Sequence, residues 1–158
     1  MGRAKENEKA ETAGKEAKSA ETLPDGLHLL IVEDQKMNAE VLADLLELEN
    51  ISSEWAENGR RGVEMFAESE KGRFDAILMD MRMPVMDGLT ATRKIRKLNR
   101  PDASTIPIIA LSANAFEEDV RQCLEAGMNA HLSKPVDLDR LKETLGRLLE
   151  TRTEQTRY

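Results

Sequence analysis

Three carboxylates, a hydroxyl and an ammonium carry the chemistry that this sequence offers: Glu33, Asp34, Asp80, Ser112 and Lys134. Each sits at the end of a short apolar run. Leu27 to Val32 ends on Glu33-Asp34, Ala76 to Met79 on Asp80, Ile106 to Leu111 on Ser112, and Ala130-His131-Leu132 leads into Ser133-Lys134-Pro135. An apolar run with no polar break is what a strand buried on both faces requires. Open α/β sheets gather their chemistry at the carboxyl ends of such strands. Carboxylates brought together there repel one another and raise each other's pKa unless a cation lies among them. A hard divalent ion answers that need, and Mg²⁺ suits a site that leaves positions for water and phosphate oxygens. One acid could then attack phosphorus and form an aspartyl phosphate, while Lys134 pairs with one phosphoryl oxygen and Ser112 donates to another. Such a transfer asks for little beyond positioning and charge neutralisation. Taken singly, Asp80 could open a loop, Ser112 could cap a helix and Lys134 could be a solvated charge. Their places at successive strand ends favour the functional reading.

The elements that must position these groups follow from hydrophobic periodicity. The sequence predicts strands over 27–32, 53–57, 74–79, 106–111 and 130–132. Between them, apolar residues at helical spacing predict helices over 38–49 (Val41, Leu42, Leu45, Leu48), 60–70, 88–98, 116–126 and 137–150. Asn58-Gly59 and Asp87-Gly88 supply turn chemistry ahead of two helices, Pro101 breaks the chain, and Gly127 is placed to end a helix. Five strands alternating with five helices imply a single α/β domain, a parallel sheet covered on both sides with right-handed crossovers. No internal repeat is evident.

Composition bounds the rest. At 158 residues the chain suggests one domain with a proper core. A formal net charge of −7 argues against a nucleic-acid surface. No apolar run reaches the ~18 residues of a membrane span, and the first residues lack a signal core. The one cysteine, Cys123, has no internal disulfide partner, which fits a reducing, cytoplasmic setting, and its helical context reads as core. Residues 1–25, rich in Ala, Glu, Lys and Thr, read as a charged flexible linker or tail, residues 26–151 as the folded domain, and 152–158 as a frayed tail.

The same residues carry a family resemblance. VEDQKMN (32–38), ILMDMRMPVMDG (77–88), IIALSANA (108–115) and CLEAGMNAHLSKP (123–135) resemble the receiver domain of two-component response regulators, in order and from about Leu27 to Glu150. The resemblance implies a flavodoxin-like (βα)5 doubly wound sheet of strand order 2-1-3-4-5. It implies that Asp80 is the phosphoacceptor, that Asp34 binds Mg²⁺ directly, that Glu33 acts partly through water, and that the backbone carbonyl of Arg82 is a further ligand. Ser112 matches the switch hydroxyl, Lys134 the phosphate-pairing lysine and His131 the position of a switching aromatic, which could equally be an ordinary strand residue. Arg82 and Asn114 match the positions that flank the attacking water's route. The Lys134–Pro135 peptide is similar to one that is cis in the family; without the resemblance trans would be expected. The ED…Gln-x-x-Asn, CLEAGM and LSKP phrases resemble receivers of hybrid sensor histidine kinases. The implied partner is a histidine on a kinase dimerisation domain or a histidine-phosphotransfer bundle, with no nucleic acid and no membrane contact. Only residues 151–158 follow the last predicted helix, so no output domain is expected; a stand-alone regulator is the alternative.

Three other readings are weaker. A haloacid-dehalogenase-like phosphatase needs a second Asp two residues after its nucleophile, where this chain has Arg82. A flavin or nucleotide carrier needs a Gly- or Ser/Thr-rich loop after the first strand, where this chain has Glu33-Asp34. A degenerate receiver acting only as an interaction module loses ground because all five polar positions hold competent side chains. The expected chemistry is self-phosphorylation and autodephosphorylation, not turnover of an outside substrate.

Overall fold

A computed structural model describes residues 23–113 and 117–157. Residues 1–22, which hold most of the expected linker, lie outside them, as does Asn114. The strands are β1 (His28–Val32), β2 (Ser52–Ala56), β3 (Ala76–Asp80), β4 (Ile108–Ser112) and β5 (Ala130–Ser133). The helices are α1 (Lys36–Glu47), α2 (Gly59–Glu68), α3 (Gly88–Arg96), α4 (Glu117–Ala126) and α5 (Leu138–Arg157). All strand pairs are parallel, in the order β2-β1-β3-β4-β5, as expected for a flavodoxin-like receiver fold.

Strand alternation splits the core into two layers. Leu30 and Val32 of β1, Ile77 and Met79 of β3, and Ile108 and Ala110 of β4 pack under Phe66 of α2, Ile95 of α3 and Cys123 of α4. Leu29, Ile31, Leu78, Ile109 and Leu111 face the other way, onto Leu42 and Leu46 of α1 and Leu141 and Leu145 of α5. Cys123 is fully buried, a core residue as its helical context suggested.

Capping explains several boundaries. Asn58 and Asp87 are N-caps whose side chains accept from Arg61 N and Thr90 N, each at 2.8 Å. Gly127, at φ +109°, ends α4: its N–H donates to Leu124 O at 3.1 Å and that of Met128 to Cys123 O at 3.0 Å, the double bond of a glycine-terminated helix. The fourth strand begins at Ile108 rather than Ile106, because Pro107 has no N–H for the ladder; its carbonyl still accepts from Ile77 N at 2.9 Å. The third strand keeps Asp80 as its last residue, and Met81 N extends the ladder to Leu111 O at 3.0 Å. The helix expected to stop at 150 with a frayed tail at 152–158 instead continues to Arg157. After Gly146 no Gly or Pro interrupts it, and Leu148 and Leu149 pack against the core.

One ion pair ties three segments together. Pro101, expected only to break the chain, opens a single 3₁₀ turn, Pro101–Ala103. Arg100, just before it, holds the nearly buried Asp102 through Nε–Oδ1 and Nη2–Oδ2 bonds of 2.6 and 3.0 Å. Its Nη1 donates to the carbonyls of Phe66, Ala67 and Ser69 at the end of α2, at 2.6, 3.3 and 2.9 Å. The guanidinium also lies 4.3 Å over the Phe66 ring.

Candidate functional site

Parallel strands point their carboxyl ends the same way, so the predicted groups meet at one edge of the sheet. Glu33 and Asp34 follow β1, Asp80 ends β3, Ser112 ends β4 and Lys134 follows β5. Ligand atoms of Glu33, Asp34 and Asp80 all lie within 4.8 Å of one another. Lys134 Nζ stands 3.2 Å from Asp80 Oδ1 and 3.2 Å from Glu33 Oε1, bridging the two buried acids. Its backbone is placed by the sheet, with Lys134 N donating to Ser112 O at 2.8 Å, and the Lys134–Pro135 peptide is cis.

The remaining predicted residues take different places. Ser112 Oγ and His131 Nε2 form a hydrogen bond of 3.0 Å between β4 and β5, a pair beside the acid cluster. Arg82 extends an exposed side chain, while its N–H donates weakly to Asp80 Oδ1 at 3.4 Å.

Electrostatics follow from this packing. Burial and the Glu33 charge push the Asp80 carboxyl up to about 6, against the lowering effect of Lys134. Burial pulls Lys134 down, but the facing Asp80 and Glu33 charges outweigh it and hold the ammonium above its ordinary value. One ammonium among three carboxylates leaves a net negative pocket, the donor set a hard cation favours. With its carboxyl at about 6, Asp80 is mainly ionised at neutral pH.

Two supports of the acids were absent from the sequence reading. Gln35 N donates to Glu33 Oε2 at 3.1 Å, and the Trp55 indole N–H donates to Glu33 O at 2.7 Å. Backbone donors carry no residue signature. Trp55, however, pairs with Ile31 in the β1–β2 register, two residues before Glu33, so a register assignment would have revealed it.

Gly88 brings the start of α3 against the back of the site. A Cβ there would meet Asp80 O at 2.4 Å and Met79 Cγ at 3.1 Å. Gly88→Ala is expected to cost about 1–3 kcal/mol through overpacking, read as a lower urea midpoint at constant slope. An unchanged midpoint would mean that the loop after Asp80 yields freely.

Comparison with known proteins places the chain. The family described as "Response regulator receiver domain" matches residues 29–146. The sensor histidine kinase RcsC of Escherichia coli (strain K12) is 39% identical over 121 residues, covering 77% of this chain and 12% of that protein. The chain thus spans only about an eighth of the curated relative it matches. The receiver domain of sensor histidine kinase PA1611 from Pseudomonas aeruginosa PAO1, solved with magnesium in its active-site cleft, superposes with a TM-score of 0.71 at 38% identity, covering 79% of this chain and 98% of that one. A chain from the co-crystal of the Saccharomyces cerevisiae histidine phosphotransfer protein Ypd1 with the Ssk1 receiver domain gives a TM-score of 0.71 at 28% identity, covering 83% and 94%. No described helix is long and apolar enough to cross a membrane.

Proposed function

We infer the function from a plain premise: the chain belongs to the response regulator receiver domain family. In this reading it accepts a phosphoryl group from a phosphohistidine onto Asp80 as one step of a His-Asp phosphorelay. The observation that carries it is Lys134 held 3.2 Å from Asp80 Oδ1 within an acidic cluster. Glu33, Asp34, Asp80 and the Arg82 backbone carbonyl would hold Mg²⁺, Asp34 directly and Glu33 partly through water. Bound there, the ion neutralises charge on the phosphoryl oxygens.

This chain's own residues do the rest. An Asp80 carboxylate oxygen bonds to phosphorus as the donor's N–P bond breaks, and the imidazole leaves with the bonding pair. Lys134 then pairs with one phosphoryl oxygen, and the Ser112 hydroxyl donates to another. Leaving His131 to do so, Ser112 repacks the face formed by α4, β5 and α5. Reversing a 99-to-1 population would take about 5.5 kcal/mol of differential interaction, within reach of a charge-assisted network. Arg82, with Asn114 at the other matched sequence position, would set the lifetime of the aspartyl phosphate. The molecule is a cytoplasmic phosphoacceptor, not a turnover enzyme, and its likeness to RcsC supports origin in a hybrid histidine kinase.

The partner's docking surface lies beside the site. A cleft of about 420 Å³ is lined by Glu33, Lys134 and Pro135 together with Val41, Leu42 and Leu45. On α1, Met37 and Val41 stand 74% and 54% exposed. Such an apolar stripe next to the acceptor suits the helix of a histidine-phosphotransfer bundle or kinase dimerisation domain, and Ypd1 is the former in the matched co-crystal. Met37→Glu with Val41→Glu is expected to slow transfer from a phosphohistidine bundle at least about tenfold, a loss of ~1.4 kcal/mol. Labelling by acetyl phosphate and Mg²⁺ should stay unchanged, because that small donor needs no docking. Equal loss with both donors would contradict the docking assignment. Multiple turnover of unrelated phosphoesters by the wild type would favour a phosphatase instead.

A further inference from the structure

We propose that Trp55 is a positioning residue for metal binding: its indole N–H, bonded to the Glu33 carbonyl, fixes the peptide that carries Asp34. The proposal rests on the Mg²⁺ reading above and adds to it a residue outside the acid cluster. Trp55 is the one tryptophan in the chain and lies on β2, at the edge of the sheet. It is 38% exposed, so burial alone gives little reason for so large a side chain there.

The contacts around Glu33 give that reason. Glu33 N donates to Ala56 O at 3.1 Å and Glu33 O accepts from Trp55 Nε1 at 2.7 Å, so β2 grips the backbone of the first acid from both sides. The side-chain oxygens are held as well, by Gln35 N at 3.1 Å and Lys134 Nζ at 3.2 Å. Each polar atom of Glu33 is therefore engaged. Asp34, partly exposed, is joined to Glu33 through a planar peptide. When the oxygen of that peptide is fixed, the direction in which the chain leaves toward the Asp34 Cα is fixed too. Without the indole N–H, water takes the carbonyl and the peptide is free to rock. The carboxylate of Asp34 then samples positions away from Glu33 and Asp80. Metal affinity falls because the ligands must be gathered on binding rather than held beforehand.

The test is Mg²⁺ titration of the whole chain by calorimetry, wild type against Trp55→Phe, which keeps an aromatic ring but removes the indole N–H donor. Lost preorganisation is expected to raise the dissociation constant about 2- to 10-fold, beside a lower urea midpoint from the lost hydrogen bond itself. An equal dissociation constant in the two proteins overturns the proposal. Should Trp55→Phe fold poorly, the wild type alone decides. Its single indole N–H signal in an ¹H–¹⁵N spectrum should exchange slowly with solvent and move as Mg²⁺ saturates. Movement of the Glu33 and Asp34 amides with a still, fast-exchanging indole signal overturns the role of Trp55. Absence of any Mg²⁺-dependent change at residues 33, 34 and 80 sinks the metal reading itself, a separate outcome.

Discussion

Replacing Lys134 with alanine should slow phosphorylation of Asp80 by acetyl phosphate about 10²- to 10³-fold, the loss expected when one preorganised charge donor leaves a reacting oxygen. The reason lies in the resting geometry. Nζ already stands 3.2 Å from Asp80 Oδ1, so in the proposed reading the ammonium would be in place to pair with an incoming phosphoryl group. Removing it acts a second time, on the ground state. Burial and Glu33 both push Asp80 upward, and Lys134 is the main group opposing them, ahead of the Arg82 N–H. In Lys134→Ala the Asp80 carboxyl should therefore titrate above its present value of about 6, and the pH profile of labelling should shift to higher pH. The stability consequence has a definite sign. A carboxyl whose folded pKa exceeds its unfolded value binds its proton more tightly when folded, so metal-free stability falls as pH rises from about 4 toward about 6. The variant should extend that fall to higher pH. A labelling rate within threefold of wild type, with no shift of the profile, would show that Lys134 is only a structural counter-ion.

Arg100→Ala should be the most damaging substitution away from the site, at about 3–5 kcal/mol, because it strands a buried carboxylate. Asp102 is 4% exposed and bound at both oxygens by Arg100. The same guanidinium also donates to the carbonyls of Phe66, Ala67 and Ser69 at the end of α2. Lysine should not rescue it, since a single ammonium cannot hold both carboxylate oxygens and three carbonyls. Acid dependence gives an independent check. Hydrogen bonds from Arg100 hold the Asp102 carboxyl below its ordinary value despite burial. The stability this contributes is present above the unfolded pKa of about 3.9 and is lost as pH falls through the lower folded value. Urea unfolding near pH 7 should show the full deficit of Arg100→Ala, and below about pH 3 the gap to wild type should narrow. A deficit that is the same at both pH values would assign the cost to the lost α2 cap and ring stacking rather than to Asp102.

The sheet was legible in the sequence because a parallel strand buried on both faces has no polar positions. Ala76 to Met79 admits no other ready reading, and an acid, hydroxyl or lysine closing each run is placed by strand direction alone. The caps at Asn58 and Asp87 were likewise visible as turn residues ahead of an apolar pattern. Less legible was whatever depends on the backbone. Pro107 moved the start of β4 by two residues, through a missing donor that periodicity does not weigh. The length of α5 was underestimated because polar Thr, Arg and Gln read as a fraying end, although nothing after Gly146 breaks a helix. Long-range polar contacts were invisible: Arg100 and Asp102 look like ordinary surface charge in sequence, and Trp55 looks like an ordinary strand aromatic. Periodicity says which face a residue takes; it does not say which carbonyl a side chain will reach.

The most direct measurement is intact-mass and peptide mapping of the whole chain after incubation with acetyl phosphate and Mg²⁺, with and without hydroxylamine. The account predicts one phosphoryl group on the peptide containing Asp80, removed by hydroxylamine as an acyl phosphate must be, and none on Asp80→Asn. A hydroxylamine-resistant phosphoryl group, or equal labelling of Asp80→Asn, would contradict it.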